Sequence, residues 1–320
     1  MTIGFSAMSF YIPETLCPVE QLEYCGELSF HEIERMMMLG IETVPVSNGP
    51  KDLEMAYYAS VKALAEANLH PLDLDAIILL QSRAPRSLIS SAAGEVQHFL
   101  GAKRAICFSI GDLGCANISQ AISVAVAYLR SNEQMRHILI CCGSTPVNHR
   151  RYRMESTILG DAGMGLVVSK NCENNIILDH KVRCDGKFSQ LYQVEYQNVN
   201  VENYQEICQS KELQFELTMS AQRIFKEINS EILNQTDSSK VKFAMQNLSL
   251  PALAFNEKLF DMKLAEACFA NCRQYGHLGS IDIILNYHTG IQNQEFCKDD
   301  LVLLMNSSPS ACWGALLVKV

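Results

Sequence analysis

Three short runs of continuous apolar residues, AIILLQS (76–82), AICFSI (105–110) and HILICCGS (137–144), are separated by two stretches of helical period, SAAGEVQHFLGA (91–102) and CANISQAISVAVAYLRS (115–131). Strands that do not alternate apolar with polar residues are covered on both faces, and a helix between each pair fits the crossover that parallel strands need. This restricts the chain to the α/β class, with a largely parallel sheet between helical layers. The second helix is apolar nearly all round, through Ala116, Ile118, Ala121, Ile122, Val124, Ala125, Val126 and Leu129. Such a helix belongs in the centre of a large fold rather than on its surface.

The same alternation extends in both directions. MAYYASVKALAEANL (55–69) is an amphipathic helix, the helix of 91–102 ends at Gly101, and STILGDAGMGLVVSK (156–170) is a glycine turn leading into the return strand of a hairpin. A polar break, KNCENN (170–175), is followed by a second round. It comprises a strand at 176–184, a long amphipathic helix at 213–235, a strand at 241–247, helices at 252–260, 262–272 and 280–288, and closing strands at 300–308 and 311–320. Two similar halves, 1–171 and 172–320, are expected, although no fixed period is visible residue by residue.

Charge and cysteine usage narrow the function. A net charge of −9 argues against a nucleic-acid partner, which needs clustered Lys and Arg. The one basic cluster, NHRRYR (148–153), is either a solvated loop or a landing site for an acidic carrier protein or a nucleotide phosphate. The start of the chain has no basic segment followed by an apolar one and a cleavage site, and no apolar run reaches the roughly 18–20 residues of a membrane span. A cytoplasmic protein is expected, so the thirteen cysteines are read as reduced thiols packed as small hydrophobes. Neither Cys141–Cys142 nor Cys268 and Cys272 has the paired ligand spacing of a zinc site, and no metal is expected.

Cys115 differs from the other cysteines by its place at the start of the buried helix. Unpaired N–H groups and the positive end of the helix dipole lower a thiol pKa there and can hold a developing oxyanion. On these grounds alone it is either a nucleophile or one more core thiol. The segment from AICFSIGDLGCANIS to LICCGS resembles the active-site segment of the β-ketoacyl-ACP synthase III group of the thiolase superfamily. ILGDAGMGLVVSK and LVLLMNSSPSACWGALLVKV are similar to that group's glycine-rich hairpin and its closing strands around a Trp-Gly pair. The resemblance implies a five-layered αβαβα fold made of two similar halves, usually a dimer, and thioester chemistry without a permanently bound cofactor.

The resemblance also implies where a condensing set of His and Asn would fall. The first position lies in VKFAMQNLSLPAL, which holds Met245, Gln246 and Asn247 but no histidine; the second is occupied by His277. With Asp282 five residues on, Cys115, His277 and Asp282 can act as nucleophile, general base and base-orienter. This is similar to a divergent branch of acyltransferases and starter-unit enzymes of natural-product pathways. Read without the family, Asp282 is a first-turn acidic residue of a helix capped by Ser280, His277 a hydrogen-bonded loop residue, and His288 a C-terminal dipole partner. The family's oxyanion hole takes one N–H from the cysteine and one from the loop NSSPSACWG, where Pro309 has no N–H and Ser308 or Ser310 must donate.

The expected function is transfer of an acyl group from an acyl carrier protein or acyl-CoA thioester, through acyl-Cys115, to a small-molecule acceptor. The family's CoA-holding base is replaced by Glu42 in LGIETVPV, which favours the carrier protein. Condensation by a Cys–His pair, or service as a weakly active partner of a related subunit in a heterodimer rather than a homodimer, are the alternatives. Residues 83–92 and 144–158 are expected to wall the acyl tunnel.

Overall fold

A computed structural model of the 320-residue chain describes all residues except 82–88, 154–155, 195–198, 201–203, 205 and 235. Nine strands make its central sheet: β1 (Ile3–Tyr11), β2 (Ala76–Leu80), β3 (Ile106–Ile110), β4 (His137–Ser144), β5 (Ala162–Lys170), β6 (Ile176–Cys184), β7 (Val241–Met245), β8 (Leu301–Ser308) and β9 (Cys312–Lys319). Their spatial order is β7-β8-β9-β6-β1-β5-β4-β2-β3. The strands β1 to β5 are thus arranged third, second, fourth, fifth, first, with the fifth antiparallel to its neighbours.

The second run repeats that order. β7 pairs in parallel with β8, β9 lies antiparallel between β8 and β6, and the missing outer strand is reduced to one parallel bridge from Leu264 to Phe243. The two runs meet where Gly4 of β1 pairs with Ile176 of β6. Among the described residues eight α-helices accompany this sheet: α1 (Phe30–Met37), α2 (Asp52–Glu66), α3 (Ala92–Leu100), α4 (Asn117–Ser131), α5 (Lys211–Leu233), α6 (Leu250–Phe260), α7 (Glu266–Tyr275) and α8 (Asp282–Gln292).

α2 packs on β1, β4 and β5 and α5 on β6 and β9, whereas α4 and α8 each touch strands of both runs. The result is five layers, with α4 and α8 in the middle. Ile118, Ile122 and Leu129 of α4 are fully enclosed there. Each such side chain contributes about 1.5–3 kcal/mol through burial. The close seat of α2 depends on Gly163 of β5, where a Cβ would stand 2.2 Å from the Met55 carbonyl oxygen.

Several expectations change. β3 is not a buried strand but the sheet's edge, with Ile106 half exposed, because no strand follows it on that side. The last helix of the second half begins at Asp282 and continues to Gln292, so His288 lies inside it, half-buried against the Phe10 ring 5.4 Å away, and is no C-terminal dipole partner. Gly101 ends α3 in the left-handed conformation (φ 71°), as glycine permits. Among the described residues no helix is long and apolar enough to cross a membrane.

Candidate active site

Each central helix is preceded by one tight 3₁₀ turn, Gly114–Ala116 before α4 and Gly279–Ile281 before α8. The two turns face each other across the middle layer, and Ser280 Oγ ties them by donating to the Gly114 carbonyl at 3.2 Å. Ser280 therefore does not cap α8; Ile281 precedes its first residue without a side-chain cap. Cys115 sits within the first turn, partly buried, and its carbonyl accepts from Asn306 Nδ2 at 3.1 Å. The backbone of the second turn is held just as firmly. His277 N–H donates to the Ile158 carbonyl at 2.9 Å, and a Cβ on Gly276 (φ +62°) would approach that oxygen to 2.4 Å, so this approach requires glycine.

Three side chains then form one row. Cys115 Sγ is 2.9 Å from His277 Nε2, and His277 Nδ1 is 2.5 Å from Asp282 Oδ2. Asp282 is fully buried and accepts two backbone bonds as well, from Leu278 N–H on Oδ1 at 2.8 Å and from Asn247 N–H on Oδ2 at 3.0 Å. Burial pushes the Asp282 carboxyl up, and the imidazole with these two N–H groups opposes that rise. For His277 burial favours the neutral ring, yet Cys115 and Asp282 outweigh it and push the imidazole up to about 10. Burial alone would raise the Cys115 thiol; the His277 charge and hydrogen bond, aided by Arg153, hold it below its ordinary value. These directions favour passage of the thiol proton to the imidazole, with the Asp282 carboxyl group behind it.

The positions around the row have definite tasks. Of the three residues in the segment where a histidine was sought, Met245 and Gln246 line a cavity with Cys115, whereas Asn247 is fully buried and its side chain is engaged elsewhere; its Nδ2 donates to Gly276 and its Oδ1 accepts from Asn286. Gln246 Oε1 accepts from Ser307 N–H. In the loop expected to offer an oxyanion donor, the Ala311 N–H is used by the Ser308 carbonyl, Pro309 has no N–H, and Ser308 is paired with Cys312 in the ladder. Ser310 remains, at the rim of the Cys115 cavity.

Two cavities of about 380 and 420 Å³ meet at Cys115 and His277. The first runs between α5 and α6, past Leu217, Phe225, Leu253 and Trp313; the second passes Ser144, Val147, Leu159 and Val194. Of the expected tunnel walls, residues 83–88 and 154–155 lie outside the described residues and 89–92 line neither cavity, whereas Ser144, Val147, Arg153, Ser156 and Thr157 line one or both. Arg153, which borders both, is a feature that sequence reasoning placed only in a basic cluster. The members of that cluster are paired: Arg150 and His149 with Glu27, Arg151 bidentately with Asp161, and Arg153 with Glu206. Glu42 is exposed and lies 3.6 Å from Arg273. No cluster of metal-ligating side chains occurs among the described residues.

Known proteins place this site in context. A family model described as 3-oxoacyl-[acyl-carrier-protein] synthase III matches residues 110–186, which include Cys115. The β-ketoacyl-[acyl-carrier-protein] synthase III of Aquifex aeolicus is 24% identical over 279 residues, 83% of each chain, and that of Staphylococcus epidermidis is 21% identical over 324 residues, 100% of this chain and 99% of the relative. Among solved structures, the Aquifex aeolicus synthase superposes with a TM-score of 0.82 at 20% identity, covering 99% of this chain and all of the other. ChlB3, described as an acyltransferase, superposes with a TM-score of 0.85 at 17% identity, covering 100% and 98%. With the strand order and the five layers, these likenesses show a thiolase-like α/β fold in a chain that is similar to the ketoacyl synthases III.

Proposed function

We propose that the protein is a thioester-dependent acyltransferase in which Cys115 carries the acyl group. The observation that supports this most is the unbroken row from Cys115 through His277 to Asp282, with the Asn247 amide engaged by Gly276 and Asn286. In the first half-reaction the Cys115 thiolate attacks the donor's carbonyl carbon. The His277 imidazolium then gives its Nε2 proton to the departing thiol of the carrier protein or CoA. That leaves a neutral imidazole whose Nδ1–H is still held by Asp282, the tautomer a general base needs. In the second half-reaction His277 takes the proton of an acceptor hydroxyl, amine or thiol as that atom attacks the acyl carbon. Collapse expels the Cys115 thiolate and restores the ion pair. The N–H groups of Cys115 and Ser310 are assigned to the oxyanion in both steps; one such donor is worth roughly 3–4 kcal/mol.

A malonyl-extending enzyme must also stabilise an enolate after loss of CO2, and none of Met245, Gln246 and Asn247 offers an imidazole for that. This favours transfer over condensation. No permanently bound cofactor is required. The same reading takes residues 1–171 and 172–320 as two halves of a duplicated unit. It makes the unpaired edge of β3, with Ile106 exposed, the place where a second subunit adds its own edge.

Intact-mass measurement after incubation with acyl-CoA or an acylated carrier protein tests the assignment. A stoichiometric acyl adduct is expected on the parent chain and none on Cys115→Ala, with transfer to an added nucleophile and no CO2 from a malonyl thioester. No adduct from any donor would overturn the reading, and CO2 release coupled to C–C bond formation would replace transfer by condensation.

A further inference from the structure

We propose that Cys184 and Cys312 are a redox modification site, joined as a cross-strand disulfide when the protein meets a peroxide. The two residues are direct partners in the antiparallel ladder of β6 and β9. Next to them Asp185 N–H donates to the Ala311 carbonyl at 2.9 Å, which makes 185 and 311 a hydrogen-bonded pair. Pairs alternate along such a ladder, so Cys184 and Cys312 occupy a non-hydrogen-bonded position, where Cα atoms stand about 4.5 Å apart and side chains are closest. A disulfide spans Cα separations of roughly 4.4–6.8 Å, so the bond closes without moving the strands. Among the described residues this is the one place in the central sheet where two cysteines are cross-strand partners.

The environments of the two thiols differ in a useful way. Cys184 is exposed and Cys312 is buried. Burial, and the Cys184 thiol beside it, push the Cys312 thiol well above its ordinary value, which keeps it protonated and unreactive towards solvent. Cys184 therefore takes the oxidant. Its sulfur accepts an oxygen from hydrogen peroxide, giving a sulfenic acid and one water. The Cys312 sulfur then displaces the hydroxyl, its own proton leaves with that hydroxyl as a second water, and the S–S bond forms. Two thiols are oxidised and one peroxide is reduced; a dithiol reverses the change.

The bond would lie beside the catalytic cavities. Cys312 follows the turn of Pro309, Ser310 and Ala311 and precedes Trp313, which lines the cavity between α5 and α6. Trp313 is the only tryptophan and is fully buried, so its emission reports on a new disulfide at its neighbour.

The test uses the full chain carrying Cys115→Ala, so that the active-site thiol does not consume oxidant, and does not depend on the proposed reaction. After brief exposure to hydrogen peroxide, free thiols are alkylated and the protein is digested without reductant. The expected product is a peptide pair joined through Cys184 and Cys312, lighter than its two parts by two hydrogens, with quenched Trp313 emission restored by dithiothreitol. Cys184→Ser should remove both the cross-link and the quenching. The proposal is overturned if both cysteines are recovered alkylated, or if Cys184 is found as a sulfinic acid or linked to another thiol while Cys312 remains free.

Discussion

Asp282→Asn tests how the row of three side chains makes a reactive thiol. All three neighbours of the carboxylate are donors: His277 Nδ1–H and Asn247 N–H on Oδ2, and Leu278 N–H on Oδ1. An asparagine must turn its NH₂ towards one side or the other. Facing Leu278, it leaves one buried N–H unpaired. Facing His277, it donates to Nδ1, forces the proton onto Nε2, and opposes the Asn247 N–H. Either choice costs about 1–3 kcal/mol of stability. The charge matters more to the thiol. With an effective dielectric constant of about 20, a carboxylate about 4 Å from the imidazolium attracts it by about 4 kcal/mol, while repelling a thiolate about 7 Å away by roughly 2.4 kcal/mol. The difference, about 1.6 kcal/mol, is the support that Asp282 gives to the ion pair. Its loss lowers the ion-pair population roughly fifteenfold at neutral pH. Iodoacetamide alkylation of Cys115, followed by intact mass, reads that population directly. The variant should react ten- to thirtyfold more slowly near pH 7 and recover as pH rises through the ordinary thiol range, about 8.5. An unchanged rate at neutral pH in a folded variant would refute the role given to Asp282.

Two further outcomes follow from the same geometry. In His277→Ala only the more weakly acting Arg153 still opposes the burial that raises the Cys115 thiol, so its alkylation midpoint, below the ordinary thiol value in the parent, should move above it. The parent loses acylation as pH falls through that lowered value because the thiol protonates, and loses leaving-group protonation as pH rises towards the His277 value of about 10. A variant profile superimposable on the parent's would remove His277 from the mechanism. In Gly163→Ala the new Cβ would stand 2.2 Å from the Met55 carbonyl oxygen, and helix backbone cannot yield as a side-chain tip can. A loss of about 1–3 kcal/mol or more is expected in urea unfolding; a midpoint unchanged within error would contradict this account of how α2 sits.

The sequence makes the fold class legible because buried parallel strands leave continuous apolar runs. Glycine and Asn/Asp punctuation then separates those runs from the helices. What it hides is position within the sheet. AICFSI reads as buried by composition, but only the strand order places it at the edge. The pairing of the basic cluster is hidden for a related reason: Glu27 and Glu206 lie far from it in the chain, and with the nearer Asp161 they neutralise, on folding, charges that look solvated. Asn247 and Asn306, which brace the row, are single buried amides with no local pattern to mark them.

The repeat is the signal that sequence reasoning passed over. DLGCANIS (112–119) and HLGSIDII (277–284) align without a gap. Leu113 and Leu278 share one conformation (φ −95°, ψ 9° and φ −98°, ψ 16°), and Gly114 and Gly279 both have positive φ. Asn117 Oδ1 takes the Leu113 N–H at 3.1 Å as Asp282 Oδ1 takes the Leu278 N–H at 2.8 Å. The conserved geometry needs only an oxygen acceptor at that position, and an amide satisfies it in the first turn. In the second turn the acceptor's other atom faces an imidazole, and there the charge has a consequence. Asp282→Asn therefore gives the second turn the first turn's residue at that position. A variant that keeps its fold while its thiol loses reactivity would separate what the turn requires from what the chemistry requires, using one substitution within a duplicated element.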